Sequence, residues 1–429
     1  MLKKVYLIMT LAIILFAVTY ILLLLFPKYR AYIALTSAVI FVIAGILPIT
    51  KVFFAVDWNV IMMIAGTMGI VSLFIESKMP ALLADMIIEK TPNVKWAIVA
   101  LALFAGIISA FVDNVATVLM VAPVAVTIAK KLKISPVNSI IAIAISSNLQ
   151  GAATLVGDTT SILLGGEANM DFLDFFVYKG KPGMFFVVQV GAVLSAIVLL
   201  VLFRKEKQTI GIQERAVVTD YFPSFLLIGT IVLLIMASFL PTKPAITNGL
   251  ICISLLVIGV VRDLIKYKNL KVISKTVKEI DYFTLLLLAG LFIVIAGITE
   301  AGVVAKISEV FVTFSGGNVF IIYTLIVWAS VIFSAFIDNI PYVATMLPVA
   351  TGIAIKLGID PTLIYFGLIV GATLGGNLTP IGASANIAGL GILRKEGYEV
   401  KPLQFMKISV PFTIIAVLSG YFLVWFIWA

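Results

Sequence analysis

The chain has 429 residues, 62% of them hydrophobic and 12% charged, with a formal net charge of +9. That composition excludes a water-soluble globular domain and describes a polytopic membrane protein, because apolar runs long enough to cross a bilayer recur from end to end. A single cysteine, Cys252, and the lack of any histidine exclude an intrachain disulfide, a histidine-based metal centre and a histidine proton relay.

The first apolar run, 5–26, follows Lys3 and Lys4. It is too long for a secretory signal and no small-x-small cleavage site follows, so it is expected to be a span. Further spans are expected near 31–49 and 57–76. Then come a long interrupted element over 95–130, a broken span over 137–168 and a closing span near 184–203. The order returns with spans near 222–240, 245–261 and 283–300. An interrupted element over 318–355, a broken span over 361–391 and a closing span near 406–428 complete the chain.

Shifting the chain by 225 residues lays SAFVDNVATVLMVAPVA (109–125) on SAFIDNIPYVATMLPVA (334–350). The same shift puts Gly151, Thr154 and Gly157 on Gly376, Thr379 and Gly382, and a shift of 224 pairs Asp57, Gly66 and Glu76 with Asp281, Gly290 and Glu300. Apolar bias produces shared Leu and Val, but not shared Asp, Asn, Gly and Pro in one register. The sequence therefore predicts two repeats, 1–205 and 222–429, joined by a cytoplasmic linker at 206–221. If each interrupted element folds back as a re-entrant helical hairpin, each repeat crosses the membrane five times, and the odd number inverts the second copy. Under that topology 22 of the 30 Lys and Arg fall on one side, which places both termini of a multi-pass cell-membrane protein outside the cytoplasm. The charges are also compatible with two full crossings per interrupted element. Orientation explains the basic balance, and no nucleic-acid partner is expected.

Asp113, Asp158 and Asp338 lie inside apolar elements, where a charged side chain costs at least about 2.5–3.5 kcal/mol at mid-bilayer. Such residues can be helix caps or interhelical glue. Duplication of the pair, as Asp113-Asn114 and Asp338-Asn339, favours function. Carboxylate and amide oxygens at a helix break suit a hard cation such as Na⁺, while N–H groups at helix N-termini suit an anion. Pro123 and Pro348 are expected to kink the returning helices, and Pro341 to start its helix after the Asp-Asn cap.

The second constellation sets SSNLQGAATLVGDTTSILLGG (146–166) against ATLGGNLTPIGASANIAGLG (372–391). Glycine frees backbone groups there, and Thr, Ser and Asn re-satisfy them. The copies differ: Asp158 aligns with Ala383, and Asn377 and Asn386 stand where the first copy has Ala152 and Ser161. Asp158 is therefore the expected coupling group, binding Na⁺ or titrating H⁺. Glu76 and Glu300, at span ends, are assigned to interface or capping roles.

Four motifs carry a resemblance: Phe-x-Asp-Asn, Gly-Ala-Ala-Thr-x-x-Gly-Asp, Phe-x-Asp-Asn-Ile-Pro-x-x-Ala-Thr-Met-x-Pro-Val and Gly-Gly-Asn-x-Thr-x-Ile-Gly-Ala-Ser-Ala-Asn. Over nearly the whole chain they resemble the ion transporter superfamily. The nearest likeness is to the arsenical-pump membrane protein and melanocyte P-protein group. D-type sodium/proton antiporters and citrate and dicarboxylate carriers stand further off. The resemblance implies an all-α membrane fold with a scaffold and a mobile transport domain, the latter built from two hairpins and two broken helices and moving as an elevator. Carried over by residue, it implies ion or substrate contacts from Asp113, Asn114, Asp338 and Asn339 at the hairpin tips. In the broken helices it implies Asn148, Thr154, Asp158, Asn377, Thr379, Ser384 and Asn386, and Thr117 and Thr159 complete the candidate set. No cofactor is expected; a bound Na⁺ would lie at Asp113, Asn114, Asp158, Asp338 and Asn339. Two departures fall in the first broken helix. Gly157-Asp158-Thr159-Thr160-Ser161 stands where the P-protein group tends to show Gly-Asp-Pro-Pro-Asn, and Gln150 replaces an expected glycine.

The expected function is secondary active transport of a small inorganic ion or oxyanion, with arsenite efflux weighed first, coupled to H⁺ or Na⁺. A sodium/proton antiporter is the alternative, then an anion or carboxylate symporter, although the paired Ser-Asn-Thr motifs of dicarboxylate carriers are absent in that form. An intramembrane aspartyl protease needs two carboxylates sharing a proton, which duplicated Asp-Asn tips with glycine-rich breaks do not suggest. No nucleotide-binding loop is present, so ATP dependence would need a separate ATPase subunit. The expected partners are the small ion, the lipid bilayer and, by the superfamily's habit, a second copy in a homodimer.

Overall fold

Lipid offers the backbone no hydrogen-bond partner, so a spanning segment must satisfy its own N–H and C=O groups, and a helix does so locally. The computed structural model, which describes residues 2–209, 215–240, 242–268 and 276–429, meets that demand with helices throughout. Among the described residues, eight helices are long and apolar enough to cross a bilayer. Residues 210–214 of the expected linker, and Lys271 and Lys275 of the charge count, lie outside the described residues.

The first half contains α1 (Leu2–Leu25), α2 (Arg30–Ile43), α3 (Ile49–Ala55), α4 (Trp58–Glu76), α5 (Met79–Ile88), α6 (Val94–Ser109) and α7 (Asn114–Leu132). It closes with α8 (Val137–Gln150), α9 (Thr159–Ala168) and α10 (Met184–Leu202). The second half supplies α11 (Phe222–Ser238), α12 (Thr247–Tyr267), α13 (Tyr282–Glu300), α14 (Val303–Phe314), α15 (Val319–Ser334) and α16 (Asn339–Leu357). It ends with α17 (Thr362–Ile369), α18 (Ser384–Lys395) and α19 (Pro402–Trp428). The order of elements over α4–α10 thus recurs over α13–α19. Asp57 caps α4 at the Val60 N–H (3.0 Å), and Asp281 caps α13 at the Thr284 N–H (3.1 Å).

Three features depart from the sequence reading. The expected span at 31–49 is cut short, since α2 ends at Ile43, Gly45 turns at φ 69° and α3 is a separate helix. Helices α5 and α14 are additional: each follows a span through one left-handed residue, Lys78 (φ 61°) or Gly302 (φ 78°). The all-α expectation also meets one small hairpin, where Val177–Tyr178 pairs antiparallel with Lys181–Pro182 around Lys179 and Gly180 at positive φ.

The halves interlock. Helix α4 packs along α12 and α13 along α2, so each half's third long segment lies on the other half's second. Small residues permit that approach. A Cβ on Gly66 would lie 2.5 Å from the carbonyl carbon of Cys252, and one on Gly290 2.7 Å from that of Ala34. Helices α10 and α19 pack against each other and against the broken helices. Residues 362–377 are buried without interruption.

The described residues of the linker form a strap. Val94 and Lys95 donate their N–H groups to the carbonyls of Gln208 (2.9 Å) and Glu206 (3.0 Å). Arg215 pairs with Glu89 (2.7 Å), and the Ala216 N–H reaches the Asp85 carboxylate (2.8 Å). Asp220 then accepts from Arg262 and from Lys266 (2.7 Å) on α12. Partial burial raises the Asp220 carboxyl, but the hydrogen bonds from Arg262 and Lys266 outweigh it and hold the group well below the usual carboxylate range.

Two outcomes follow. Gly66→Leu and Gly290→Leu should abolish recovery of monodisperse protein in detergent, whereas Gly229→Ala, with nothing within 4 Å of the added Cβ, should not. Asp220→Asn should lower stability by about 1 kcal/mol, allowing for solvent screening. Because the folded-state carboxyl is depressed, that contribution is present above the ordinary carboxylate range and fades as pH falls through it. Thermal melts across pH should therefore show variant and parent converging at low pH.

Candidate functional site

Each Asp-Asn pair begins a helix, because the first turn leaves N–H groups without intrahelical acceptors. Asp113 caps α7 at the Ala116 N–H (3.0 Å) and Asp338 caps α16 at the Ile340 N–H (3.2 Å), with Asn114 and Asn339 as first helical residues. Pro341 falls in the first turn, where its missing N–H is harmless, and Pro123 and Pro348 lie inside their helices. The broken spans are equally matched. Helix α8 passes through a 3-10 turn at Gly151–Ala153 to Asp158, which caps α9. Helix α17 passes through a π turn at Val370–Leu374 and a 3-10 turn at Gly376–Leu378 to Ala383, which has no side chain to cap α18.

The helix starts dock onto the breaks in the same way in both halves. The Thr154 hydroxyl donates to the Ala110 carbonyl and the Thr379 hydroxyl to the Ala335 carbonyl. A Cβ on Gly157 would meet the carbonyl oxygens of Gly151, Ala110 and Ser109 at 2.7–2.9 Å. One on Gly382 would meet those of Gly376, Ser334 and Ala335 at 2.5–2.8 Å.

A buried polar chain joins the two docked starts. Asn114 Nδ2 donates to Asn148 Oδ1 (3.0 Å), and Asn148 Nδ2 to the Thr373 carbonyl (2.7 Å). The Thr373 hydroxyl meets that of Thr160 (3.0 Å), which donates to Asp158 (3.0 Å). Asp158 also accepts from the Thr159 N–H (2.7 Å) and, at 3.4 Å, from Asn339 Nδ2.

One side of this chain opens on a cavity of about 350 Å³. Of the predicted residues, Asp113, Asn114, Asp158, Thr159, Asn339 and Ser384 line it. Glu76, Glu279 and Asp281 join them, so the cavity presents five carboxylates and, among the described residues, no Lys or Arg. The first turns of α7, α9, α16 and α18 all reach it. Their partial positive charge is offset by the aspartate caps on three of the four.

The remaining predicted residues lie behind the lining. Asp338 pairs with Arg30 (3.1 Å) and accepts from Ser384 (3.1 Å). Thr154 and Thr379 serve the docking contacts. Asn377 Nδ2 donates to the Ile145 carbonyl (2.8 Å), and Asn386 Nδ2 to those of Gly376 (3.3 Å) and Thr379 (3.1 Å). The side-chain carbonyl oxygens of Asn377 and Asn386 and the hydroxyl of Thr117 are buried without a hydrogen-bond partner. No group of three or more Asp, Glu or Cys is placed to hold a metal among the described residues. Glu76, exposed at the end of α4, lines the cavity, and Glu300 pairs at a surface with Lys51 (2.7 Å). Sequence reasoning missed Arg30, Glu279 and Thr373. Only Thr373 carried a signal, as the residue aligned with Asn148 at the 225-residue shift.

The profile of the citrate transporter family (CitMHS) matches residues 20–371. A 46 kDa membrane protein of Mycobacterium leprae is 32% identical over 336 residues, covering 75% of each chain. The human P protein is 25% identical over 402 residues, covering 76% of this chain and 48% of its own length. Among solved structures, the YdaH transporter of Alcanivorax borkumensis superposes with a TM-score of 0.57 at 14% identity, over 86% of this chain and 84% of that one. The fold is therefore that of a membrane transporter. The superfamily resemblance holds, with the citrate branch supplying the matching family.

If Thr154 and Thr379 hold the docked helix starts, Thr154→Val and Thr379→Val should each destabilise the protein by about 1–3 kcal/mol, the cost of an orphaned buried carbonyl. Detergent melting curves check this. Unchanged melting with lost transport would instead make the two hydroxyls ligands.

Proposed function

The chain belongs to the citrate transporter family and is a membrane transporter, and we propose that it moves a small cationic or uncharged inorganic solute by secondary active transport. The observation that carries this reading is the lining of five carboxylates without a basic residue among the described residues. Such a surface repels a free polyanion and attracts a cation. It also accepts an uncharged hydroxide, to which Thr159, Ser384, Asn114 and Asn339 offer hydrogen bonds. Arsenite efflux stays within that chemistry because arsenous acid is uncharged at neutral pH. Sodium/proton antiport is the alternative within the same electrostatics.

Coupling to H⁺ or Na⁺ is assigned to Asp158, buried at the helix break with Asn339 against it. A second reading takes citrate, the cargo in the family's description, as a complex with a divalent cation that offsets most of its negative charge. Supporting it, the start of α18 lacks a capping carboxylate and Ser384 lines the cavity.

In this reading the halves 1–205 and 222–429 are inverted repeats with re-entrant hairpins at α6–α7 and α15–α16. Helices α1–α4 and α11–α13 form the scaffold and the remainder an elevator-type transport domain. The basic side is cytoplasmic, so both termini lie outside, and the cavity, lined near Glu76 and Glu279, opens inward. A homodimer is part of the proposal; an ATPase subunit is not required by it.

The test is uptake into proteoliposomes of arsenite, Na⁺, chloride, a dicarboxylate and citrate with and without Mg²⁺, under imposed pH and Na⁺ gradients. Gradient-driven movement of arsenite or Na⁺ is expected, with loss in Asp158→Asn and Asp113→Asn. Uptake of citrate without a divalent cation would overturn the reading.

A further inference from the structure

Helix α9 carries a carboxylate at each end. Asp158 caps its start, and Glu167 stands one residue before its last. Glu167 lines a separate cavity of about 220 Å³ together with Asp57, Leu163, Phe292, Leu347 and Pro348. Asp57, in this cavity, precedes α4 and Glu76, in the acidic one, ends it. The nearest lining residues are Val60 and Met68 on α4 and Ile340 and Ala344 on α16, so the two cavities lie about 12 Å and about 6 Å apart along those helices. It shares Asp57 and Gly166 with a wider cavity of about 580 Å³ that also touches Asp171 and Lys243.

The surroundings of Glu167 accommodate two proton arrangements. The Thr351 hydroxyl lies 2.6 Å from Glu167 Oε1, 2.6 Å from the Tyr365 hydroxyl and 3.1 Å from the Leu347 carbonyl. With Glu167 ionised, Tyr365 donates to Thr351 and Thr351 donates to the carboxylate. With Glu167 protonated, the acid donates to Thr351, which turns its own proton to the Leu347 carbonyl. Neither state leaves the Thr351 hydroxyl or the carboxyl without a partner. The facing groups are Asp57 from the start of α4, Tyr365 from α17, Thr351 and Leu347 from α16, and Phe292 and Ile295 from α13. Beyond Tyr365 lies Asp360, itself paired with Lys179 (2.5 Å). No Lys or Arg lines the cavity among the described residues.

We propose that Glu167 is a proton-binding site of the transport cycle, loaded from the side opposite the acidic cavity and distinct from the cargo carboxylates. It rests on the coupled-transporter reading above. The step is a protonation alone: a proton from water adds to the carboxylate, and the acid later returns it to water. Helix α16 touches both ends of α9, through Asn339 at Asp158 and Thr351 at Glu167. A change in charge at Glu167 is therefore felt by the helix that also borders the cargo cavity.

The experiment is an infrared pH titration of the full-length protein in proteoliposomes, following the C=O band of protonated carboxyl groups. A titrating component is expected that disappears in Glu167→Gln, persists in Asp158→Asn and moves its midpoint in Thr351→Val. Persistence of that component in Glu167→Gln overturns the proposal. If Glu167→Gln fails to fold, an unmoved midpoint in Thr351→Val overturns it instead. A component whose midpoint shifts with Na⁺ makes the site one for cations and also overturns it. The band reports protonation whether or not cargo moves. Failure of the uptake assays with the band intact therefore refutes the transport reading, and the reverse result refutes this site alone.

Discussion

Asp158 is a carboxylate that water barely reaches, with 4% of its surface exposed. A group of that kind persists in an apolar interior only if donors surround it. Its donors here come from its own helix start, from Thr160 and from Asn339, a residue of the other half. Thr160 reaches Thr373, Thr373 reaches Asn148, and Asn148 reaches Asn114. Satisfying one carboxylate thus ties together both broken helices and both Asp-capped helix starts. The helix breaks, their glycines and their hydroxyls are the local means by which an apolar chain brings these donors to one place.

The two capped starts are built alike but stand in different electrostatic settings. Asp338 is neutralised by Arg30 from α2 and further held by Ser384, whereas Asp113 faces a cavity that also contains Glu76, Glu279 and Asp281. Like charges of this kind disfavour one another and leave demand for a positive or proton-bearing partner. The backbone is near-symmetric and the charge is not. Ala383 at the place of Asp158 sharpens that difference, because α18 begins without the carboxylate that α9 has.

Much of this was legible in the sequence, for a physical reason. Apolar bias does not reproduce Asp and Gly in one register, so matched occurrences such as Asp57 with Asp281, Gly66 with Gly290 and Gly157 with Gly382 revealed the recurrence, and in the structure these pairs sit at caps, crossings and breaks. Thr154 and Thr379 were read as candidate ligands because a sequence shows a hydroxyl but not which carbonyl it meets. Arg30 looked like an orientation charge in a loop; only packing of α2 against the second half brings it to Asp338. The spans were expected to end at Glu76 and Glu300, where they do end, but α5 and α14 beyond them escaped because helices of 10 and 12 residues are too short to read as spans.

The strap between the halves sets a mechanical limit. Ala216 is bonded to Asp85 on α5 and Asp220 to Arg262 on α12. Three residues lie between the two anchors, and the four steps from Ala216 to Asp220 reach at most about 14 Å when fully drawn out. The strap therefore acts as a short leash between α5 and α12. Small excursions leave both knots tied, and any larger stroke has to undo Ala216 from Asp85 and Arg215 from Glu89 before the helices can part.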